Sequence, residues 1–207
     1  MKKLWILGIA ACLISALAGC SSNADVTSVP SMYIQPAQLT EEEENITKLV
    51  GAGTHHIFDF AADDSIQSIQ VNTYQLRDGA WDLISGGGGY AFSDLSGRLA
   101  LDFGKIPDGL RVALQSEHTN GGYSHVSNPE NDFHGMGCAT SLLSSKTDIV
   151  YEQEIPLAIQ IITAKNEITS YTVEYFNQPE LYTEYEYIYA ITVLFSQKTV
   201  TELSENK

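Results

Sequence analysis

Apolar side chains alternate with polar or small ones along most of the chain after residue 55, and this alternation limits the possible folds more than any other feature. It is clearest in residues 98–103 and 110–115, which flank the turn sequence Pro107-Asp108-Gly109. A period of two residues is typical of strands that bury one face. About nine such segments, separated by Gly and Asp turns, predict an all-β domain.

Short strands at regular spacing predict an antiparallel β-sandwich of two sheets, with a jelly-roll arrangement as the first topology and a closed β-barrel as the alternative. The pair Asp78-Gly79 predicts a tight hairpin turn. The segment from Tyr185 to Phe195 is apolar on both faces and predicts a strand at the centre of a sheet. Further strands are predicted at 149–154 and 169–176.

One short helix is predicted over about residues 41–50. The sequence Thr40-Glu41-Glu42-Glu43 has the capping-box pattern, and its acidic residues suit the positive end of the helix dipole. Ile46, Leu49 and Val50 follow at helical spacing. They predict an apolar face that packs on the domain.

The first twenty residues predict export from the cell. Lys2 and Lys3 precede an apolar run from Leu4 to Ala16, which is shorter than the roughly 20 residues of a membrane-spanning helix. The sequence Leu17-Ala18-Gly19-Cys20 closely resembles the lipobox of bacterial lipoproteins. This resemblance implies cleavage after Gly19, two acyl chains and their linking glyceryl group on Cys20, and a protein anchored in the cell membrane by that lipid on its extracytoplasmic side.

The resemblance gives the first boundary of the chain, and composition and periodicity give the others. Residues 1–19 are the signal peptide, 20–38 a flexible tether, 39–197 a single β-rich domain and 198–207 a polar tail. Once the signal is removed and Cys20 carries lipid, Cys138 is the one cysteine left, so no internal disulfide is expected.

The charge of the chain excludes one class of partner. There are 26 acidic and 11 basic residues, which give a formal net charge of −15 at pH 7. A surface of this charge repels nucleic-acid phosphates and anionic lipid headgroups. Nucleic-acid binding is therefore excluded, and membrane attachment is expected through lipid alone.

A row of tyrosines near the C-terminus is the candidate ligand platform. Tyr185, Tyr187 and Tyr189 alternate along one predicted strand and so share one of its faces. Exposed aromatic rows present flat surfaces to sugars or to other proteins. The alternative is that these rings close the core of the sandwich.

Two groups of side chains have the donor types of metal sites, although neither has a standard spacing. Calcium is the metal suggested by Asp59, Asp63 and Asp64. The polar connection 117–137 suggests zinc through His118, His125, His134, Glu117, Glu130 and Asp132. We expect no cofactor, with calcium or zinc as the alternatives.

Three other features lead to predictions about local structure or reactivity. The glycine run 86–89 is interpreted as a mobile hairpin loop or bulge. His55 and His56 are adjacent in a predicted strand, so their side chains should point to opposite faces. Cys138 follows His134 by four residues and could be a nucleophile, but a small free thiol among small neighbours is interpreted as a core residue.

The function expected from these features is non-catalytic binding or interaction outside the cytoplasm, with a carbohydrate, a peptide or an envelope protein as the partner. One alternative is a small extracytoplasmic hydrolase that uses carboxylates or a bound metal. Another is a structural accessory of an envelope or transport complex. No catalytic residue stands out among the many carboxylates.

Overall fold

The computed structural model describes residues 31–50, 54–86, 89–125 and 133–205. The predicted signal peptide and Cys20 lie outside the described residues, as do Glu130 and Asp132. Within the described ranges, no helix has the length and apolar character needed to cross a membrane.

The strands form two antiparallel sheets of six strands each. Sheet A contains β1 (Tyr33–Pro36), β2 (His55–Ala61), β6 (Ser96–Asp102), β7 (Leu110–Gln115), β8 (Asn120–His125) and β10 (Thr147–Asp148), in the spatial order β10-β1-β2-β6-β7-β8. Sheet B contains β3 (Ser68–Arg77), β4 (Ala80–Gly86), β5 (Tyr90–Ala91), β9 (Gly137–Leu142), β11 (Glu154–Thr163) and β12 (Tyr187–Ser196). Its order is β4-β3-β12-β11-β9, with β5 paired to β3.

Helical segments connect or follow these strands. In the described ranges, the α-helices are α1 (Glu41–Val50) and α2 (Val200–Glu205), and the 3₁₀ helices are Ile106–Asp108, Val173–Asn177 and Pro179–Tyr182.

The main core lies between the two sheets. Phe60 of β2 packs edge-on against Phe195 of β12, with ring centroids 5.3 Å apart. Fully buried residues of the inner faces include Leu99, Leu101, Val112 and Leu114 in sheet A and Ile69, Val71, Ile191 and Val193 in sheet B. The predicted all-β fold of two antiparallel sheets is confirmed. The described strands form two separate sheets, so the closed-barrel alternative is wrong.

Both predicted hairpins are present. Asp78 and Gly79 join β3 to β4 with φ angles of 50° and 80°, as a two-residue hairpin turn with positive φ at both positions requires. Arg98 pairs with Gln115 in the β6–β7 hairpin. A jelly roll contains two Greek keys, whereas the consecutive strands β6, β7 and β8 of sheet A form a meander.

Strand β12 is central, as its two apolar faces predict. It lies between β3 and β11, and its residues alternate between the inner core and an outer face that is also buried. The outer face is covered by the segment 164–186, whose Val173 and Tyr182 are almost fully buried. The predicted strand 169–176 is therefore wrong, because this segment crosses the sheet and forms the 3₁₀ helix Val173–Asn177 instead.

Several predicted boundaries also need correction. Strand β1 lies inside the range predicted as a tether and pairs with β2, so the folded part begins before residue 39. The predicted polar tail contains α2, and the predicted connection 117–137 contains β8. The predicted strand 149–154 is wrong, because a turn at Tyr151-Glu152 leads into β11.

Helix α1 forms as predicted but does not pack as predicted. The Thr40 backbone N–H donates to Glu43 Oε2 at 2.8 Å and Glu43 N–H donates to Thr40 Oγ1 at 3.3 Å, which completes the capping box. Ile46 and Leu49, however, are 56% and 87% exposed. The helix is held to sheet A through Glu43, which accepts a hydrogen bond from Arg98 at 2.5 Å, and this contact leaves the apolar face outside.

Candidate functional site

The tyrosine row does not form an exposed platform, so that prediction is wrong. Tyr189 is 3% exposed and Tyr185 is 8% exposed. Tyr187 and Tyr189 lie on the inner face of β12, where both rings contact Phe133 with centroids 5.1 and 6.4 Å away. Their shared face was correctly predicted, but that face is turned into the core.

A different group of aromatic residues lies on the outer face of sheet B. The Trp81 ring stacks on Phe176 with centroids 5.0 Å apart, and its indole N–H donates to the Phe176 carbonyl at 2.7 Å. Tyr182 contacts both Tyr171, at 5.3 Å, and Trp81, at 6.3 Å. These contacts fix the segment 164–186 onto the sheet.

A groove lies between the β3–β4 hairpin and the residues just before and at the start of β12. We call it the hairpin groove, and it is lined by Gln75, Leu76, Arg77, Asp78, Gly79, Tyr182, Thr183, Tyr185, Glu186 and Ile188. Its volume is about 620 Å³, within the roughly 300–1,000 Å³ of ligand sites. Tyr185 of the predicted platform is therefore part of this groove, although not as an exposed ring.

The lining of the hairpin groove is apolar at its base and polar at its edge. Leu76, Tyr182 and Ile188 are buried, whereas Arg77, Asp78, Thr183 and Glu186 are exposed. Arg77 Nη2 donates to the Gln75 side-chain oxygen at 2.7 Å, which orients the guanidinium along the edge. The edge thus offers both donors and acceptors beside an apolar base.

Glu186 provides a fixed negative charge at this edge. The Thr163 hydroxyl donates to Glu186 Oε2, and together with backbone N–H groups this bond holds the pKa of the Glu186 carboxyl below its usual value. Glu186 is therefore ionised at neutral pH and acts as a hydrogen-bond acceptor.

Tyr182, a residue of the same groove, has an unsatisfied buried hydroxyl. Its side chain is fully buried, and its hydroxyl has no hydrogen-bond partner among the described residues. Burial raises the pKa of Tyr182 to about 12, with smaller contributions from Tyr171 and Tyr175. An unpaired buried hydroxyl is unfavourable by about 1–3 kcal/mol.

A second, smaller cavity of about 240 Å³ lies beside Glu154 and Glu174. The Glu154 carboxylate accepts hydrogen bonds from Asn72 Nδ2 at 2.6 Å, Tyr74 Oη at 2.6 Å and Thr192 Oγ1 at 3.1 Å. These three donors come from β3 and β12, so Glu154 connects adjacent strands. The cavity is also below the usual size of a ligand site.

Three of the predicted metal ligands are engaged in other contacts. Asp59 accepts a hydrogen bond from Arg98 at 2.9 Å, and Asp63 accepts one from Tyr151 at 2.8 Å. His118, in the turn between β7 and β8, has its Nδ1 2.6 Å from Oδ1 of Asp94, which lies between β5 and β6. In the described parts of the chain, no three His, Cys, Asp or Glu side chains are grouped to hold a metal ion.

The contact between Asp94 and His118 predicts how stability depends on pH. Hydrogen bonds from Ser116 and His118 lower the pKa of Asp94 to about 2, below its usual value of about 3.9. The ionised form is thus favoured in the folded state, and the stabilisation is present above pH 4 and lost as the pH falls towards 2.

Asp94→Asn is therefore expected to unfold at a lower urea concentration than the unmodified protein at pH 6, with the difference disappearing near pH 2. Urea unfolding across this pH range measures it. Asp64→Asn is the matched control, since Asp64 is an exposed acidic residue. A difference between Asp94→Asn and the unmodified protein that stays constant from pH 6 to 2 contradicts the assignment.

Cys138 is exposed on the edge strand β9, so its predicted core position is wrong. Although the residue is exposed overall, partial shielding from water raises the pKa of its thiol. A raised pKa disfavours the thiolate that nucleophilic catalysis requires.

The adjacent histidines and the glycine run are the remaining features singled out in the sequence. His55 Nδ1 lies 3.2 Å from Asp102, whereas His56 packs on Phe103 with ring centroids 5.1 Å apart, so the two adjacent rings have different partners. In the glycine run, Gly87 and Gly88 lie outside the described residues. A Cβ on Gly89 would lie 3.4 Å from the Ile69 carbonyl oxygen, which indicates a close backbone approach.

Sequence reasoning missed most of the hairpin groove. Its two halves, 75–79 and 182–188, are far apart in the chain, and the predicted features within them were the Asp78-Gly79 turn and Tyr185. No protein-family model matches the chain, and comparisons with curated proteins and with solved structures likewise find no significant match.

Proposed function

We propose that the protein is a lipid-anchored extracytoplasmic protein that binds a saccharide in the hairpin groove without catalysing a reaction. The observation that carries this proposal is the lining of the groove, in which the exposed parts of Leu76, Tyr185 and Ile188 lie beside an edge of hydrogen-bonding groups. A sugar ring has an apolar C–H face and hydroxyl groups that both donate and accept hydrogen bonds. The two surfaces match in chemistry.

The charges favour a neutral saccharide over an anionic one. Asp78 and Glu186 are carboxylates of the groove, and Arg77 is its one basic lining residue. The chain as a whole carries a net charge of −15. Anionic sugars would therefore be repelled as they approach, whereas a neutral sugar would not.

The state of Glu186 supports binding over hydrolysis. A glycosidase needs a carboxylic acid that is still protonated near neutral pH, which requires a raised pKa. The pKa of Glu186 is instead lowered by its hydrogen bond from Thr163. Glu186 is thus suited to accept a hydrogen bond from a sugar hydroxyl but not to donate a proton to a leaving group.

The lipid anchor is supported by the resemblance of Leu17-Ala18-Gly19-Cys20 to a lipobox. Mass spectrometry of the protein from the membranes of the producing cells should give a chain that begins at Cys20 and carries acyl groups on it. Cys20→Ser should abolish acylation and release the protein from the membrane. Membrane retention of an unacylated Cys20→Ser protein would contradict the anchor.

Arg77 is expected to contribute directly to binding. Arg77→Ala should weaken binding of a neutral cell-envelope oligosaccharide by about tenfold or more, because a hydrogen bond to a charged group contributes about 1.5–3 kcal/mol. Isothermal titration calorimetry against a panel of such oligosaccharides measures the change. Arg111→Ala is the matched control, since Arg111 is also an exposed strand arginine but does not line the groove. Equal losses in both variants would contradict the site.

A further inference from the structure

Helix α1 presents an apolar stripe that no other described residue covers. Ile46 and Leu49 are one helical turn apart and are 56% and 87% exposed. A shallow groove of about 570 Å³ runs along this stripe, and its lining residues all come from α1 and its N-cap: Thr40, Glu41, Glu42, Asn45, Ile46 and Leu49. A helix with an exposed apolar stripe is the element that helix-in-groove recognition uses.

The helix is fixed in place by polar contacts beside the stripe. Arg98 donates to Glu43 at 2.5 Å and to Asp59 of β2 at 2.9 Å, so one guanidinium joins α1 to sheet A. The capping box with Thr40 stabilises the first turn. An isolated helix of ten residues has only marginal stability. Because these contacts keep α1 folded before a partner binds, the entropic cost of docking is lower.

The charges beside the stripe identify the kind of partner. Glu41, Glu42 and Glu44 are exposed around the same helix. Lys48, the one basic residue of α1, pairs with Glu44, so the surface of the helix beside the stripe is acidic. A membrane of anionic headgroups would be repelled. A second copy of α1 would place like charges together and is disfavoured for the same reason.

We propose that α1 docks into an apolar groove of a second protein, with Lys or Arg side chains of that protein beside Glu41 and Glu42. Ile46 and Leu49 are the apolar anchors, and the acidic residues select a basic partner and speed the encounter. This surface is separate from the hairpin groove, because the two share no lining residue. The two proposals therefore succeed or fail independently.

Photocrosslinking in the producing cells tests the docking surface with the full-length protein. Asn45 is exposed beside the stripe, so benzoylphenylalanine at this position reports the occupant while Ile46 and Leu49 stay intact. The same photoreactive residue at Leu95, an exposed leucine outside the helix, is the control. Mass spectrometry identifies the crosslinked species.

The expected product is one protein with a basic surface, crosslinked from position 45 but not from position 95. Adding Ile46→Glu should reduce its yield by about tenfold without lowering the unfolding temperature, because Ile46 is exposed in the folded chain. High salt applied before irradiation should also reduce the yield. A crosslink to lipid, to a second copy or to an acidic protein, or no crosslink at all, would overturn the proposal, as would a yield unaffected by Ile46→Glu.

Discussion

Gln160→Leu is expected to lower the free energy of unfolding by roughly 1–3 kcal/mol, because the buried Ile106 N–H would lose its hydrogen-bond partner. Gln160 is fully buried between the sheets. Its side-chain oxygen accepts from the Ile106 N–H at 2.7 Å, and its amide nitrogen donates to the Gly104 carbonyl at 2.8 Å and to Thr140 Oγ1 at 2.9 Å.

Every hydrogen-bonding group of the Gln160 amide is engaged, and its partners belong to different elements. Ile106 and Gly104 lie in the connection from β6 to β7, whereas Gln160 and Thr140 lie on neighbouring strands of sheet B. One amide therefore joins the two layers of the sandwich. Leu has a similar volume but cannot replace any of these bonds.

Urea unfolding of Gln160→Leu, followed by circular dichroism, measures the change. Gln115→Leu is the matched control, because Gln115 is a strand glutamine with an exposed side chain. We expect a large decrease in the midpoint for Gln160→Leu and little change for Gln115→Leu. Equal midpoints for the two variants would show that the Gln160 bonds do not stabilise the fold.

Trp81→Ala is expected to destabilise the domain by about 2–4 kcal/mol and to abolish binding in the hairpin groove. Removal of a buried aromatic residue typically costs about 3–5 kcal/mol, and Trp81 is only partly buried. The change removes the stacking on Phe176 and the hydrogen bond to its carbonyl. The segment 164–186 would lose its main attachment to β4, and with it the position of Tyr182 in the groove.

Trp81→Phe separates the ring contact from the hydrogen bond. It retains an aromatic ring against Phe176 but lacks the indole N–H, so a smaller loss of about 1 kcal/mol is expected. Thermal unfolding gives the stability of both variants, and calorimetry gives saccharide affinity under conditions where each is folded. Full affinity in folded Trp81→Ala would contradict the role of this contact in shaping the groove.

The strands and hairpins were predictable because their signals are local. The alternation in 98–103 and 110–115 and the turn at Asp78-Gly79 each determine structure over a few residues. The capping box of α1 is local in the same way. The order of the strands was not predictable. Strand β2 pairs with β6, although β3, β4 and β5 lie between them in the sequence and belong to the other sheet, and no local sequence pattern indicates this pairing.

Periodicity identifies which side chains share a face but not what covers that face. Tyr187 and Tyr189 do share one, yet it is buried, because β12 lies between two other strands with sheet A above it. Ile46 and Leu49 also share one, yet it is exposed, because α1 is attached to Arg98 through Glu43, which lies beside this face. The hairpin groove depends on contacts of Trp81 and Tyr182 across the fold, which sequence spacing does not contain.

Backbone amide chemical-shift mapping of the unlipidated Cys20→Ser protein, titrated with the oligosaccharide that binds in calorimetry, tests the proposed function most directly. We expect saturable shifts confined to residues 75–79 and 182–188, with loss of these shifts in Arg77→Ala. Shifts centred elsewhere, or no saturable response to any neutral saccharide of the panel, would contradict a saccharide site in the hairpin groove.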